Sequence, residues 1–121
     1  MPKTYADHTL PALRIALGVG SWAAPNRIWS LVGLKLTDDR EARFLGRLFG
    51  ARDVILGIGP LASSGSARKL WLRLGVACDL VDAAAAGLGL RDGAPKRAMI
   101  MAGSTALTAG ALGLAALRNA G

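Results

Sequence analysis

Apolar and polar positions divide the chain into four apolar stretches joined by short connections rich in basic and turn-forming residues. The last stretch is the plainest. Residues 98–117 contain no charge and are bracketed by Lys96 and Arg97 before them and Arg118 after them. At about 1.5 Å rise per residue this run matches the roughly 30 Å hydrocarbon core of a bilayer. Residues 70–90 form a run of similar length, with Arg73 near its start and Asp79 and Asp82 near its middle. Two further runs are shorter or interrupted: residues 10–24 hold Arg14, and residues 48–62 hold Arg52 and Asp53. The pattern predicts an all-α polytopic membrane protein, a compact bundle of four transmembrane helices at about 10–24, 48–62, 70–90 and 98–117, forming one domain over 1–121. A soluble domain can bury one wholly apolar helix, but a chain of 121 residues is too short to surround two of them. Arg14 splits the first run, and Lys3 is the only basic side chain among residues 1–7, so the first stretch reads as a retained helix rather than a cleaved leader.

The connections fit this layout. Pro25 and Asn26 punctuate the end of the first span, and Trp29 follows where an interfacial aromatic belongs. Asp38 and Glu41 make a capping pair for a new helix. It begins as a short amphipathic interfacial segment around Phe44, Leu45 and Leu48 and feeds the second span. Ser63, Ser64, Gly65 and Ser66 read as one polar turn, and Asp92, Gly93, Ala94 and Pro95 as another.

Within the spans, small and charged residues recur at intervals of three and four, which places them on one face of a helix. The first span has Pro11, Arg14, Gly18, Ser21 and Pro25. The second has Gly46, Gly50, Asp53, Gly57 and Pro60, and the third Gly75, Asp79, Asp82, Ala86 and Gly89. In the fourth, Gly103, Ala106, Gly110 and Gly113 follow the same spacing, with Ser104, Thr105 and Thr108 near that face. Lipid gives helices no hydrophobic reason to associate, so close backbone approach along small residues is how they pack. Gly46, Gly50, Gly57, Gly75, Gly103 and Gly110 are the expected packing positions, and the charges that share their stripes should face inward.

Successive helices run in opposite directions, so depth can be compared between them. Arg14 and Asp79 fall at a common depth, which predicts that they pair. Arg52 is expected to pair with Asp82 or Asp53. Arg14, Arg52, Asp53, Asp79 and Asp82 then form one polar cluster with two positive and three negative charges. A carboxylate left over in a low dielectric takes up a proton more readily than it stays ionised. Asp53, Asp79 and Asp82 are accordingly the catalytic candidates, set against the plainer alternative that buried ion pairs only hold helix register.

Composition narrows the classes further. Apolar side chains make up 52% of the chain and aromatic ones 5%, more grease than a small soluble domain carries. Cys78 is the sole cysteine and His8 the sole histidine, which removes an internal disulfide and any Cys/His metal site; no metal and no cofactor is expected. The formal charge of +7 sits mainly in the connections with no aromatic-interleaved patch, which argues for membrane orientation and against nucleic acid. Trp22, Trp29 and Trp71 read as interfacial anchors and Cys78 as a small packed residue. No glycine-rich phosphate loop accompanies Gly57 and Gly59, and no serine–histidine pairing serves acyl chemistry.

The run Leu48-Phe49-Gly50-Ala51-Arg52-Asp53-Val54-Ile55-Leu56-Gly57, followed by Asp79-Leu80-Val81-Asp82-Ala83, resembles the pattern of a family of small bacterial four-helix integral membrane proteins of unknown function. The likeness extends through the proline after the first span and Gly33. It implies the four-span architecture and singles out Arg52, Asp53, Asp79 and Asp82, and it brings no activity with it. Small multidrug transporters are of similar length, but they carry a membrane glutamate in the first helix where this chain has Arg14.

Three classes of function follow. The first is an accessory or interaction protein of the cell membrane, holding its fold with the Arg/Asp cluster and meeting other membrane helices or a second copy with its outer faces. The second is a proton-linked transporter or carrier of a small lipophilic molecule, cycling one aspartate between protonated and arginine-paired states. The third is a membrane-embedded isomerase, cyclase or epoxide-opening enzyme, with one aspartate as acid and another as base. The expected partners are the lipid bilayer, neighbouring helices and a small lipophilic ligand.

Overall fold

The computed structural model describes residues 5–31 and 40–120, and every regular element among them is helical. The helices are α1 (Tyr5–Ala23), α2 (Pro25–Ser30), α3 (Arg40–Ala62), α4 (Gly65–Arg91) and α5 (Lys96–Ala120). One of them, α5, is both long enough and apolar enough to cross a membrane. The charges inside α1, α3 and α4 keep those helices below that mark, although each is long.

The chain is more continuous than its sequence suggests. The amphipathic segment around Phe44, Leu45 and Leu48 is no separate interfacial helix: it forms the first turns of α3, which runs unbroken from Arg40. Its first six residues, Arg-Glu-Ala-Arg-Phe-Leu, include no helix breaker, and proline comes only at Pro60. A short helix does precede α3, but it is α2, where a simple stop was expected. Pro25 takes its first position, where a missing N–H costs nothing and the fixed φ suits a helix. Ser63 and Ser64 alone connect α3 to α4, because Gly65 at φ +59° starts the next helix. The second turn is as expected, with Gly93 at φ +87°. Asp38, and with it the capping pair, lies outside the described residues, as does Gly33.

The four long helices associate in two close pairs, α1 with α3 and α4 with α5, which meet along α3–α4 and α1–α5. Backbones come very near at the α1–α3 crossing. A Cβ on Gly50 would lie 2.8 Å from the Gly18 carbonyl oxygen, and one on Gly57 would lie 2.5 Å from that of Pro11. Only glycine fits such an approach. On the α4–α5 side a Cβ on Gly113 would meet Val76 at 2.7 Å, and one on Gly103 would meet Ala86 at 3.3 Å. Gly46 is buried on α3.

Burial is distributed in an unusual way. Pro11, Arg14, Gly18, Ser21 and Pro25 are all buried, whereas the buried large apolar side chains among the described residues are few: Leu10, Leu56, Leu72 and Val76. Leucine, isoleucine, valine and phenylalanine instead populate the outer faces, among them Leu13, Val19, Phe44, Ile55, Ile58, Leu80, Val81, Ile100, Leu107 and Leu114. Only 22% of the apolar window of α5 is buried. Hydroxyl and amide groups on the helices return to their own backbone: Ser21, Thr105, Thr108 and Asn119 each donate to the carbonyl four residues earlier, at 2.7 to 2.9 Å.

Candidate functional site

The site is organised by α4, which carries Asp79 and Asp82 one turn apart. Each carboxylate receives an arginine from a different helix. Arg14 of α1 donates to Asp79 through both terminal nitrogens, Nη1 to Oδ1 at 3.1 Å and Nη2 to Oδ2 at 2.5 Å. Arg52 of α3 donates to Asp82 in the same fork, at 3.1 and 2.6 Å. A planar guanidinium matches a carboxylate in this two-bond geometry, which lysine cannot reproduce.

The two pairs occupy different surroundings. The side chains of Arg14 and Asp79 are 9% and 5% exposed, those of Arg52 and Asp82 34% and 31%. The reason lies in the helix arrangement. Helices α1 and α4 share no direct backbone approach, so Arg14 reaches Asp79 across the middle of the packed helices, and glycines clear its way. Gly75, one turn before Asp79, leaves room where a Cβ would sit 3.2 Å from Nη2 of Arg14; a Cβ on Gly110 of α5 would lie 3.5 Å from the Cβ of Asp79. Arg52 comes from α3, a direct neighbour of α4, and pairs nearer the outer side.

Aromatic residues complete the second pair. The Arg52 guanidinium carbon lies 4.8 Å from the centre of the Phe49 ring, within range for a cation–π contact. Trp29 of α2 meets the same ring edge-on at 6.0 Å and 63°. Asn26 Oδ1, Trp29 Nε1 and Arg52 Nε are all buried without a hydrogen-bond partner. Phe49 and Trp29 were not singled out for this cluster from sequence, although Phe49 stands three residues before Arg52, the helical spacing that brings such a ring beneath a guanidinium.

Asp53 is half-buried beside Arg52, and among the described residues it has neither ion pair nor hydrogen bond. A small recess on the Tyr5 side of the molecule is lined by Pro11, Arg14, Pro60, Trp71, Gly75 and Gly113, with Leu10, Leu56 and Leu72. Its volume of about 10 Å³ suits about one water beside the Arg14 guanidinium. The aspartates do not line it. Trp71 packs on Gly59 of α3, Trp22 is exposed, and Cys78 is only partly buried. No group of three or more His, Cys, Asp or Glu among the described residues could hold a metal ion.

No known family model, curated protein or solved structure matches the chain. The reading of the site therefore rests on its own geometry.

Proposed function

We propose that the chain is an accessory or interaction protein of the cell membrane, a four-span helical bundle whose two Arg–Asp forks tie α4 to α1 and α3. The distribution of burial carries this reading. Large apolar side chains face outward along all four long helices, while the buried interior among the described residues is built mostly of glycine, alanine and proline, with Arg14, Ser21, Asp79 and a few large apolar side chains between them. In water such an outer surface has no partner, whereas in hydrocarbon it is the favourable one. The low burial of α5 argues the same way, because the apolar core helix of a soluble protein would be mostly covered. Hydroxyls closed onto their own helix are also what a medium without water requires.

The forks favour a holding role. Asp79 and Asp82 each have both oxygens engaged by arginine, and the recess opens onto Arg14 rather than onto a carboxylate. Alkaline carbonate extraction of membranes from expressing cells tests the reading: the protein should stay in the pellet and need detergent to dissolve. A monodisperse protein recovered without detergent would overturn it.

Asp53 favours a second reading, a proton-linked carrier of a small lipophilic molecule. A half-buried carboxylate next to an arginine already committed to Asp82 can exchange a proton and capture that arginine when Asp82 releases it. Uptake into vesicles driven by an imposed proton gradient, and abolished by Asp53→Asn, is the result this reading requires.

A further inference from the structure

The cluster around Phe49 has unmet hydrogen-bonding capacity that the forks do not use. Arg52 spends Nη1 and Nη2 on Asp82, which leaves its Nε–H, and Trp29 keeps its indole N–H; both donors are buried without a partner. The two side chains converge on one ring, Arg52 at 4.8 Å and Trp29 at 6.0 Å from its centre. Buried donors in this state are costly, and a native fold retains them where a further group completes them. That group must be an acceptor.

Charge decides which acceptor. Arg52, Asp82 and Asp53 together sum to one negative charge when ionised, so an anion is not drawn onto the guanidinium itself. An uncharged carbonyl oxygen fits the two N–H groups. The surroundings say what carries it. This end of the molecule holds α2, the start of α3 and the α4–α5 connection and is strongly basic, with Arg27, Arg40, Arg47, Arg91, Lys96 and Arg97 all exposed. Tryptophan at a membrane boundary sits at the level of headgroups and ester linkages, and basic residues there attract anionic lipid.

We propose that Trp29, Phe49 and Arg52 form a binding site for an anionic glycerophospholipid, whose acyl-ester carbonyl accepts from Trp29 Nε1 and Arg52 Nε while its phosphate stays among the basic side chains of this end. Trp29 and Arg52 are half-buried and Phe49 is exposed, so the site lies at the rim of the packed helices, where a lipid reaches it. The inference rests on the membrane reading, and the two can fail separately, since carbonate extraction tests the membrane and not the lipid.

The test is lipid binding to the purified full chain in detergent, measured by native mass spectrometry. The probes are ester-linked phosphatidylglycerol, ether-linked phosphatidylglycerol of the same chain length, ester-linked phosphatidylcholine and inorganic phosphate, each against the unaltered protein and Trp29→Phe. Phosphatidylglycerol should bind more tightly than phosphatidylcholine. Replacing ester by ether should weaken binding about 25-fold, the worth of two net hydrogen bonds. In Trp29→Phe, which keeps a ring and loses the N–H, that ester preference should fall to about fivefold, the part left to Arg52 Nε. Equal binding of ester and ether forms to the unaltered protein would overturn the assignment even if the variant does not fold. An undiminished ester preference in Trp29→Phe would overturn it too, as would displacement of the lipid by inorganic phosphate, which would make this a free-phosphate site.

Discussion

The Arg14–Asp79 fork is the most exacting test of the physical argument, because both partners lie inside and they come from helices whose backbones do not approach each other. Arg14→Met keeps the aliphatic stem and leaves Asp79 without its arginine. Asp79→Ala keeps the Cβ that faces Gly110 and leaves the guanidinium without its carboxylate. Removing one partner of a buried pair costs about 3–5 kcal/mol, since the remaining charge stays desolvated. The lower end of that range applies to Asp79→Ala, where a water in the recess beside Arg14 would partly solvate the survivor. The double variant has no charge left to strand. Its loss should be about 1–2 kcal/mol, mostly for trimmed packing, so the coupling between the two sites should exceed about 2 kcal/mol. Reversible unfolding in mixed micelles, followed by circular dichroism for all four proteins of the cycle, measures this directly. Losses that add within about 0.5 kcal/mol would mean that the two residues do not form a buried pair, and the argument for α1 and α4 being tied across the centre would be wrong.

Five other outcomes are expected. Gly57→Ala puts a Cβ 2.5 Å from the Pro11 carbonyl oxygen and should cost about 1–3 kcal/mol; Gly87→Ala, with nothing within 4 Å, should gain up to about 1 kcal/mol from helix propensity, and both are read by the same unfolding assay. Basic residues at the Arg27 end, in and beside the two connections, outnumber those at the other end, so the positive-inside rule places both termini outside the cytoplasm; activity from a C-terminal reporter that works only in the cytoplasm would contradict this. Asp82→Asn should fold, because an amide oxygen still accepts from Arg52, with a loss of about 1.5–3 kcal/mol for the charge-assisted part. Asp53→Asn should leave the unfolding midpoint nearly unchanged because no partner is lost, and a large destabilisation would reveal a contact that the structure does not show.

Much of the architecture was legible because helical periodicity is a local property. The spacing of Pro11, Arg14, Gly18, Ser21 and Pro25 puts them on one face whatever else the chain does, and that face is buried from end to end. The alternating direction expected of successive helices likewise gives Arg14 and Asp79 a common depth. Helix boundaries were less legible. Nothing local separates an amphipathic entry segment from the first turns of α3, and Pro25 serves equally to end one helix or begin another.

What the sequence alone determined about this protein is therefore its helical character, its one uncharged stretch of membrane length in α5 and the faces on which small and charged residues gather, since all three follow from composition and the period of a helix. Which helices are neighbours was a matter for the tertiary structure. With α3 beside α4, and α1 opposite, Arg52 meets Asp82 near the outer side and Arg14 meets Asp79 in the middle. The position of α2 could not be read either, and it is α2 that carries Trp29 to Phe49 and Arg52. Distances between residues far apart in the chain depend on which helices pack together, and periodicity fixes the face a residue shares without naming the helix it will meet.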